Sequence, residues 1–329
     1  MAQYSLYKLD FRKGDGQTSL KFEDSNLPTL DNAQEFLERM LTQGTDYQWT
    51  LPIVKTKNGE SDRLINTVER KINKITCLCV CNKKIIKYRE GMADEQLEHH
   101  PGCRVIIDNR DGIGQVAIEH TSSFDDNPNK VAQLLKDAIT RNVEQYGIVA
   151  DIRPKWRTGE FWQVIDERRL RGDRITKVEY DFPVIENVLP IDASDEMINK
   201  IQWLHTLMAT TQAAKSGWYL QEKQGRGLTL DRTQSDLVHL LDFCSNNSYI
   251  VTVHFNKSGT YTCGENVIAS RDLPFDIVKE FVDGQSIHDA DGNTTFRLIT
   301  WLDESREMTS DYKDEEIPII RRRKRENKQ

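Results

Sequence analysis

Hydrophobic and polar positions alternate in several short segments near the N-terminus, which predicts β-strands. The segment "YSLYKLDF" begins this pattern, and "TLDNAQEFLERML" follows with the spacing of an amphipathic helix. Two hairpins are predicted next. In the first, "KITCLCVC" pairs with "IIKYREG". In the second, "CRVIIDN" pairs with "IGQVAIEH" across a turn at Asp111-Gly112, a dipeptide that adopts tight hairpin turns readily.

The clearest helix of the chain follows in "NPNKVAQLLKDAITRNVEQYG". Asn127 can cap its N-terminus, and Pro128 suits its first position. Gly147 can end it in a left-handed turn. Val131, Leu135 and their helical neighbours are predicted to form the buried stripe.

A strand with one apolar and one polar face is predicted directly after this helix, in "IVADIRPKWR". The apolar face consists of Ile148, Ala150 and Ile152, and the polar face of Asp151, Arg153 and Lys155. A short amphipathic helix from Gly159 to about Arg171 and the strand "ITKVEYDFPV" come next. The polar face is expected to lie in solvent.

The remaining pattern mixes helices and strands without regular βαβ units. Helices are predicted around Ile201, Leu204 and Met208, from Thr233 to Cys244, and in "FDIVKEFV"; "YIVTVHF" and "GTYTCG" are predicted strands. This order favours an α+β fold with antiparallel sheets and packed helices. Two domains are predicted, residues 1–185 and 186–300, followed by a mobile charged tail at 301–329.

Composition is that of a globular protein without membrane insertion. The 329 residues are 37% hydrophobic and 29% charged. No apolar run approaches the roughly 20 residues that cross a bilayer, and the N-terminus lacks the pattern of a secretory signal. A cytoplasmic location is therefore expected, and the six cysteines are expected to be reduced thiols.

Positive charge is concentrated in two segments of an acidic chain. Residues 153–174 carry a net charge of +3 and residues 321–329 a net charge of +5, whereas the whole chain carries −7. Arginine and lysine neutralise backbone phosphates, and aromatic rings such as Trp156 and Trp162 can stack on bases. The candidate DNA-binding residues are Arg153, Lys155, Arg157, Arg168, Arg169, Arg171, Arg174, Arg321, Arg322 and Arg323. A solvated helix face with internal ion pairs is the alternative for the first segment, and a solubility tail for the second.

A metal site and a nuclease site are weaker hypotheses. The metal candidates are Cys77, Cys79, Cys81, His99 or His100, and Cys103. Thiols on one strand face should stand about 7 Å apart, too far to share an ion, so buried strand thiols are favoured and no metal is predicted. Asp151, Glu179 and Asp181 are acidic positions near Lys155 and Lys177 that a metal-dependent nuclease would use, but their spacing matches no tight motif.

The order of elements resembles that of the RexA phage-exclusion proteins and the KwaB proteins of Kiwa anti-phage defence. The strand "YSLYKLDF", the segment "CLCVCNKKIIKYREG", the pair "RVIIDNRDGIGQVAIE", the helix "NKVAQLLKDAI" and the strand "ITKVEYDFPV" carry the resemblance. It covers roughly residues 1–230 and is architectural. It implies a dimer that binds DNA without sequence preference in bacterial or prophage immunity.

These observations lead to one leading hypothesis and two alternatives. The leading one is a non-enzymatic homodimer that binds double-stranded DNA independently of sequence in anti-phage defence, without a cofactor. The alternatives are a metal-dependent nuclease and a protein-interaction subunit whose arginines meet an acidic partner encoded by a neighbouring gene.

Overall fold

The structure is a computed structural model that describes residues 1–13, 29–41, 53–57, 60–90, 93–183, 215–223, 225–265, 268–288 and 294–307, with a few positions between 199 and 211. Helices and antiparallel sheets make up these residues, which confirms the predicted α+β class. The predicted helix around Ile201 and Leu204 lies largely outside the described residues.

The secondary-structure elements are numbered here in chain order. The strands are β1 (Ala2–Lys13), β2 (Val54–Lys57), β3 (Glu60–Arg63), β4 (Asn66–Ile72), β5 (Ile75–Cys81), β6 (Lys84–Glu90), β7 (Ala93–His99), β8 (Gly102–Asp108), β9 (Gln115–Glu119), β10 (Ile148–Pro154), β11 (Ile175–Pro183), β12 (Lys215–Gln221), β13 (Ile250–Phe255), β14 (Gly259–Thr262), β15 (Ser270–Leu273), β16 (Ile287–His288) and β17 (Thr294–Thr295). The helices are α1 (Ala33–Met40), α2 (Pro128–Val143), α3 (Thr158–Leu170), α4 (Ser235–Asn246), α5 (Phe275–Asp283) and α6 (Arg297–Glu307). Within the described ranges, none of the helices has the length and apolar character needed to cross a membrane.

The larger sheet has the strand order β10-β1-β9-β8-β5-β4, and β15 pairs with β1 as well. The strand β1 pairs with β10 through its C-terminal part and with β15 through its N-terminal part. The predicted hairpin of β8 and β9 is confirmed, and Gly112 in its turn has φ +74°. The predicted cap of α2 is confirmed too, because the Asn127 side chain accepts a hydrogen bond from the Asn129 backbone.

The other predicted hairpin is wrong. The strand β5, which contains "KITCLCVC" from its second letter, pairs with β4 on one edge and with β8 on the other. The strand β6 pairs with β7 in a separate two-stranded sheet. A strand has only two hydrogen-bonding edges, so β5 has none left for β6.

Helices cover both faces of the larger sheet. On one face, α1 and α2 pack against the strands through side chains such as Leu37 and Leu135. On the other face, α5 and α6 do so through Phe281, Trp301 and Leu302. A sheet covered on both faces has no broad solvent-facing side, so the polar face predicted for β10 is enclosed.

The helix α6 corrects the predicted start of the charged tail. Residues from 301 onward are predicted to be mobile, yet the helix runs to Glu307, and Trp301, Leu302 and Ser305 are buried. The apolar stripe of this helix is short and is followed by alternating acids and bases, which hides it in the sequence. Residues 308–329, the rest of the predicted tail, lie outside the described residues.

The smaller sheet is antiparallel, with the order β12-β11-β13-β14. The helices α3 and α4 cover one face through side chains that include Phe161, Ile165 and Leu241. The other face carries partly exposed polar residues such as Glu179 and His254. This sheet therefore has the one-sided burial that is common in antiparallel sheets.

The backbone passes between the two sheets beside Leu6. The Lys155 N–H donates to the Leu6 carbonyl at 2.9 Å, and the Leu6 N–H donates to the Ala269 carbonyl at 2.8 Å. The Ala269 N–H in turn donates to the Lys155 carbonyl at 2.7 Å. The chain thus leaves the larger sheet at Lys155 and rejoins it at Ala269.

The hydrophobic cores divide at the same place. Every buried residue of the core around the smaller sheet lies between 156 and 263, and the other cores draw on residues before and after that range. We call 156–268 the inserted lobe and the rest of the described chain the main lobe. The boundary between 185 and 186 remains a prediction about folding units; the buried cores separate at 155/156 and 268/269.

Replacing Gly114 by alanine is expected to destabilise the fold more than replacing Gly112. Both glycines have positive φ, which costs a residue with a Cβ about 1–2 kcal/mol. A Cβ at Gly114 would also lie 2.2 Å from the Leu9 carbonyl oxygen, whereas one at Gly112 would meet nothing within 4 Å. Urea denaturation of Gly114→Ala and Gly112→Ala measures the difference; equal losses in the free energy of unfolding contradict this packing.

Candidate nucleic-acid interface

Two of the predicted DNA-binding residues lie inside the protein. Arg153 in β10 and Lys155 directly after it are only 8% and 5% exposed. A cation enclosed in this way does not reach a backbone phosphate. The prediction that these two residues contact DNA is therefore wrong for the folded chain.

Arg153 forms a buried network between the two lobes. Its guanidinium pairs with Asp10 of β1 and, at 3.2 Å, with Asp151. It also lies 5.4 Å from the ring centroid of Tyr249 in the inserted lobe. Lys136 of α2 donates to the other Asp151 oxygen at 3.0 Å. Breaking a buried network of this kind typically costs about 3–5 kcal/mol, which makes Arg153 a structural residue.

Lys155 connects the strand crossing to α6. Its ammonium donates to Gln115 Oε1 at 2.5 Å, and Gln115 Nε2 donates to the Leu302 carbonyl at 3.3 Å. Burial, followed by the charges of Lys8 and Arg306, lowers the pKa of Lys155 to about 7. The described residues place no carboxylate within ion-pair distance of this amine, so burial dominates its behaviour.

Arg157 is partly buried at the start of α3. Its Nη2 donates to the Ser270 carbonyl of β15 at 3.2 Å, which ties the inserted lobe to the main lobe. Burial raises the pKa of the nearby Glu160, although the charge of Arg157 opposes that rise. Arg157 thus joins Arg153 and Lys155 in the contacts that hold the lobes together.

A cavity between the lobes is too small to serve as a nucleic-acid site. Its volume is about 260 Å³, and its lining includes Tyr7, Arg153, Ser248 and Cys263. Ligand pockets usually have volumes of about 300–1,000 Å³. The Arg153 charge is already neutralised by two carboxylates, so the cavity offers no uncompensated cation to a phosphate.

The other four arginines of the predicted segment lie on the surface. They occupy the last turn of α3 and the turn that follows, and they are Arg168, Arg169, Arg171 and Arg174. The Arg171 side chain is 68% exposed and lies 3.9 Å from Glu167; the Arg169 side chain is 53% exposed and lies 3.8 Å from Asp166. Exposed pairs of this kind contribute about 0–1 kcal/mol, so they exchange readily for a polyanion.

Asp173 fixes the backbone at the centre of this surface. Its carboxylate accepts hydrogen bonds from the backbone amides of Lys257 and Ser258, at 2.9 and 3.0 Å, and from the Ser258 hydroxyl at 2.5 Å. Desolvation opposes ionisation, but these hydrogen bonds outweigh it and lower the pKa of Asp173 below its ordinary value. The carboxylate therefore anchors the β13–β14 turn to the end of α3.

Three further cations that sequence reasoning missed lie on segments around this end. Lys257 is in the β13–β14 turn, and Lys223 and Arg226 are in the loop after β12; all three are exposed. Arg174 donates to the Gly225 carbonyl at 2.5 Å, and Asn256 donates its backbone N–H to the Arg174 carbonyl at 2.8 Å. Three distant segments thus converge. We call the set Arg168, Arg169, Arg171, Arg174, Lys223, Arg226 and Lys257 the basic end.

Acids near the basic end are engaged in local structure. Glu222 accepts the Gly227 backbone N–H at 2.6 Å, and Asp166 accepts Arg232 at 3.0 Å. Among the described residues, no carboxylate lies within ion-pair distance of Lys223, Arg226 or Lys257. The positive charge of this surface is therefore only partly compensated.

The carboxylates of the nuclease hypothesis do not converge. Asp151 is buried in the larger sheet against Arg153 and Lys136. Glu179 and Asp181 belong to β11 in the smaller sheet, where Glu179 pairs with Lys177 and His254. The structure thus separates the three acids into two lobes, and the described residues contain no group of three side chains arranged to hold a metal.

The candidate cysteines do not gather at one site either; the exception is the pair Cys79 and Cys81. Cys103 pairs with Val80 in register and packs in the α1–α2 core, on the face opposite Cys77. Cys79 and Cys81 have their Sγ atoms 4.0 Å apart, closer than the spacing predicted from strand rise. Burial, followed by the charge of Cys81, raises the pKa of Cys79 to about 12, so this thiol is protonated at neutral pH.

The remaining predicted site residues do not belong to the basic end. His100, a candidate of the weaker metal hypothesis, lies 3.0 Å from Glu98. Arg321, Arg322 and Arg323 lie outside the described residues. Their contact with DNA stays a prediction.

Comparisons with known proteins found no match. The chain matches no protein-family model, no curated protein and no solved structure. The resemblance to the RexA and KwaB proteins therefore stays a prediction from the order of elements, and the candidate interface rests on the contacts of the basic end.

Lys155→Met is expected to flatten the pH dependence of stability in the alkaline range. The unfolded chain holds the Lys155 proton up to a pH near 10.5, whereas the folded chain releases it near pH 7. The unfolded state therefore binds more protons between these values. This residue makes the free energy of unfolding rise with pH there, by up to about 1.4 kcal/mol per pH unit.

The measurement is urea denaturation of wild type and Lys155→Met at several pH values from 7 to 10.5. Lys279→Met, which replaces an exposed lysine of α5, is the matched control and should keep the wild-type slope. An unchanged slope in Lys155→Met contradicts the buried amine.

Proposed function

We propose that this protein binds double-stranded DNA without sequence preference through the basic end of its inserted lobe. The candidate surface keeps Arg168, Arg169, Arg171 and Arg174 of the predicted segment, of which Arg168 is only partly exposed. Lys223, Arg226 and Lys257 replace the buried Arg153 and Lys155 and the partly buried Arg157. Lysine and arginine contacts to phosphates supply affinity that does not depend on base sequence.

The convergence of three chain segments is the observation that supports this proposal. The end of α3, the loop after β12 and the β13–β14 turn are joined by backbone contacts of Arg174 and by the carboxylate of Asp173. These contacts fix the backbones that carry the basic side chains. A fixed array of cations suits a regular phosphate backbone better than a mobile charge run does.

Some of these arginines also stabilise the fold. Arg168 and Arg169 occupy the last turn of α3, where cations stabilise a helix through its dipole. Arg168 lies 5.9 Å from the Phe255 ring centroid. Arg171 caps the C-terminus of α3 and pairs with Glu167, whereas Arg226 and Lys257 belong to other segments. All three are exposed, so they are expected to make the greater share of the phosphate contacts.

We extend the proposal to a homodimer acting in anti-phage defence, which rests on the resemblance to the RexA and KwaB proteins. Two basic ends on one dimer would bind a duplex with higher avidity than one. The predicted charged tail at residues 321–329 would add affinity that is sensitive to salt.

The double variant Arg171→Gln/Arg226→Gln tests the basic end. It is expected to weaken binding equally on two duplexes of unrelated sequence. It should also reduce the slope of log affinity against log salt concentration by up to about 2 units, since each phosphate contact contributes about 0.9. Both side chains are exposed, so the thermal stability of the variant should match that of wild type.

The matched control is Lys130→Gln/Arg141→Gln, which removes two exposed cations from α2 in the main lobe. It should keep the wild-type affinity and salt slope. Equal behaviour of the two double variants would exclude the basic end as the DNA-binding surface. If wild type binds no duplex even at low ionic strength, the proposal is overturned, and an acidic protein becomes the partner to test.

A further inference from the structure

Cys79 and Cys81 form a close pair of accessible thiols. They lie two residues apart on β5, both are partly exposed, and their Sγ atoms are 4.0 Å apart. Cys77, the next cysteine on the same face, is buried and donates its thiol to Glu69 at 3.4 Å. The pair is therefore distinct from the thiol that serves the core.

A glycine on the neighbouring strand leaves space at this pair. Gly102 of β8 lies directly opposite Cys81 in the antiparallel register. A Cβ built on Gly102 would lie 2.5 Å from Cys79 Sγ and 3.8 Å from Cys81 Sγ, so any other residue would occupy the space beside both sulfurs. Glycine within a strand often marks a place where another group approaches closely.

The distance between the sulfurs suits chelation of one ion. Thiolate sulfur binds a metal such as zinc at about 2.3 Å, so two sulfurs that share an ion stand at most about 4.6 Å apart. The present separation of 4.0 Å is about 0.6 Å short of the value that a linear two-ligand site has at that bond length, and a small rotation of the side chains would supply the difference. The pair can therefore hold an ion with little movement of the backbone.

The number of ligands indicates which ion. Structural zinc sites require four protein ligands, and the described residues offer no group of three or more. Cu(I) is soft, favours thiolate sulfur and is stable with two or three ligands. We propose that Cys79 and Cys81 form a binding site for Cu(I).

The binding step leaves the oxidation state of the metal unchanged. Two S–H bonds break, two Cu–S bonds form, and both protons pass to solvent. The resulting bis-thiolate complex carries one negative charge. Arg104 lies opposite Cys79 in the register and is paired with Glu69 at 3.1 Å, so these two side chains together add no net charge beside the complex.

Competition against a coloured chelator tests the site. The reduced full-length protein is titrated without oxygen into the Cu(I) complex of bicinchoninate. Wild type is expected to withdraw one Cu(I) per chain from the chelator. Cys79→Ser and Cys81→Ser should each lose at least about tenfold in Cu(I) affinity, because even outer contacts of a metal site contribute that much.

Two further variants separate the pair from the rest of the chain. Gly102→Ala keeps all six thiols but fills the space beside Cys79, so it should also weaken Cu(I) binding. Cys244→Ala removes a buried thiol of the inserted lobe and should bind Cu(I) as wild type does. Thermal melting shows whether each variant is folded.

Alkylation of wild type provides a second measurement that needs no variant. Bound Cu(I) should protect Cys79 and Cys81 from a maleimide, as read by mass spectrometry of the peptides. Failure of wild type to withdraw Cu(I), or undiminished binding by the Cys79→Ser/Cys81→Ser variant, overturns the proposal. Retention of Zn(II) in preference to Cu(I) overturns the choice of ion.

Discussion

The crossing of the backbone beside Leu6 determines the arrangement of the whole chain. The strand β1 can pair with only one strand at each point of its edge, so β10 must end where β15 begins. Three backbone hydrogen bonds among Leu6, Lys155 and Ala269 close that junction. The described residues between Lys155 and Ala269 build a second sheet with its own core, the inserted lobe.

This junction also separates the positive charge into two groups with different roles. Cations before and at the start of the insertion, Arg153, Lys155 and Arg157, lie between the lobes or beneath α6 and hold them together. Cations farther along the insertion lie at the opposite end of α3, where Arg171 is well exposed. A single stretch of sequence therefore contributes both to the interior and to the proposed DNA-binding surface.

The sequence predicts most individual helices and strands, but it does not predict what packs on each face of the sheets. The alternation in β10 is correct, yet Arg153 is enclosed by contacts with Asp10 and with Tyr249 of the inserted lobe, which no local pattern reveals. Lys155 is connected through Gln115 to α6, whose short apolar stripe is hidden among charged residues. Lys223, Arg226 and Lys257 carry no local signal either. They come together only through the pairing of β11 with β12 and β13, which joins positions far apart in sequence. Side-chain rotation explains why the Cys79–Cys81 spacing differs from strand rise, since rise fixes backbone positions only.

Phenylglyoxal modifies accessible arginines, and mass spectrometry locates the modified residues. Modification with and without duplex DNA tests most directly whether the positive charge is divided between interior arginines and a DNA-binding surface. Arg171 and Arg226 are expected to react rapidly in the absence of DNA and to be protected by any duplex sequence. Arg153 is expected to stay unmodified under both conditions until the protein unfolds. Rapid modification of Arg153 in the folded protein, or no protection of Arg171 and Arg226 by saturating DNA, would contradict the account.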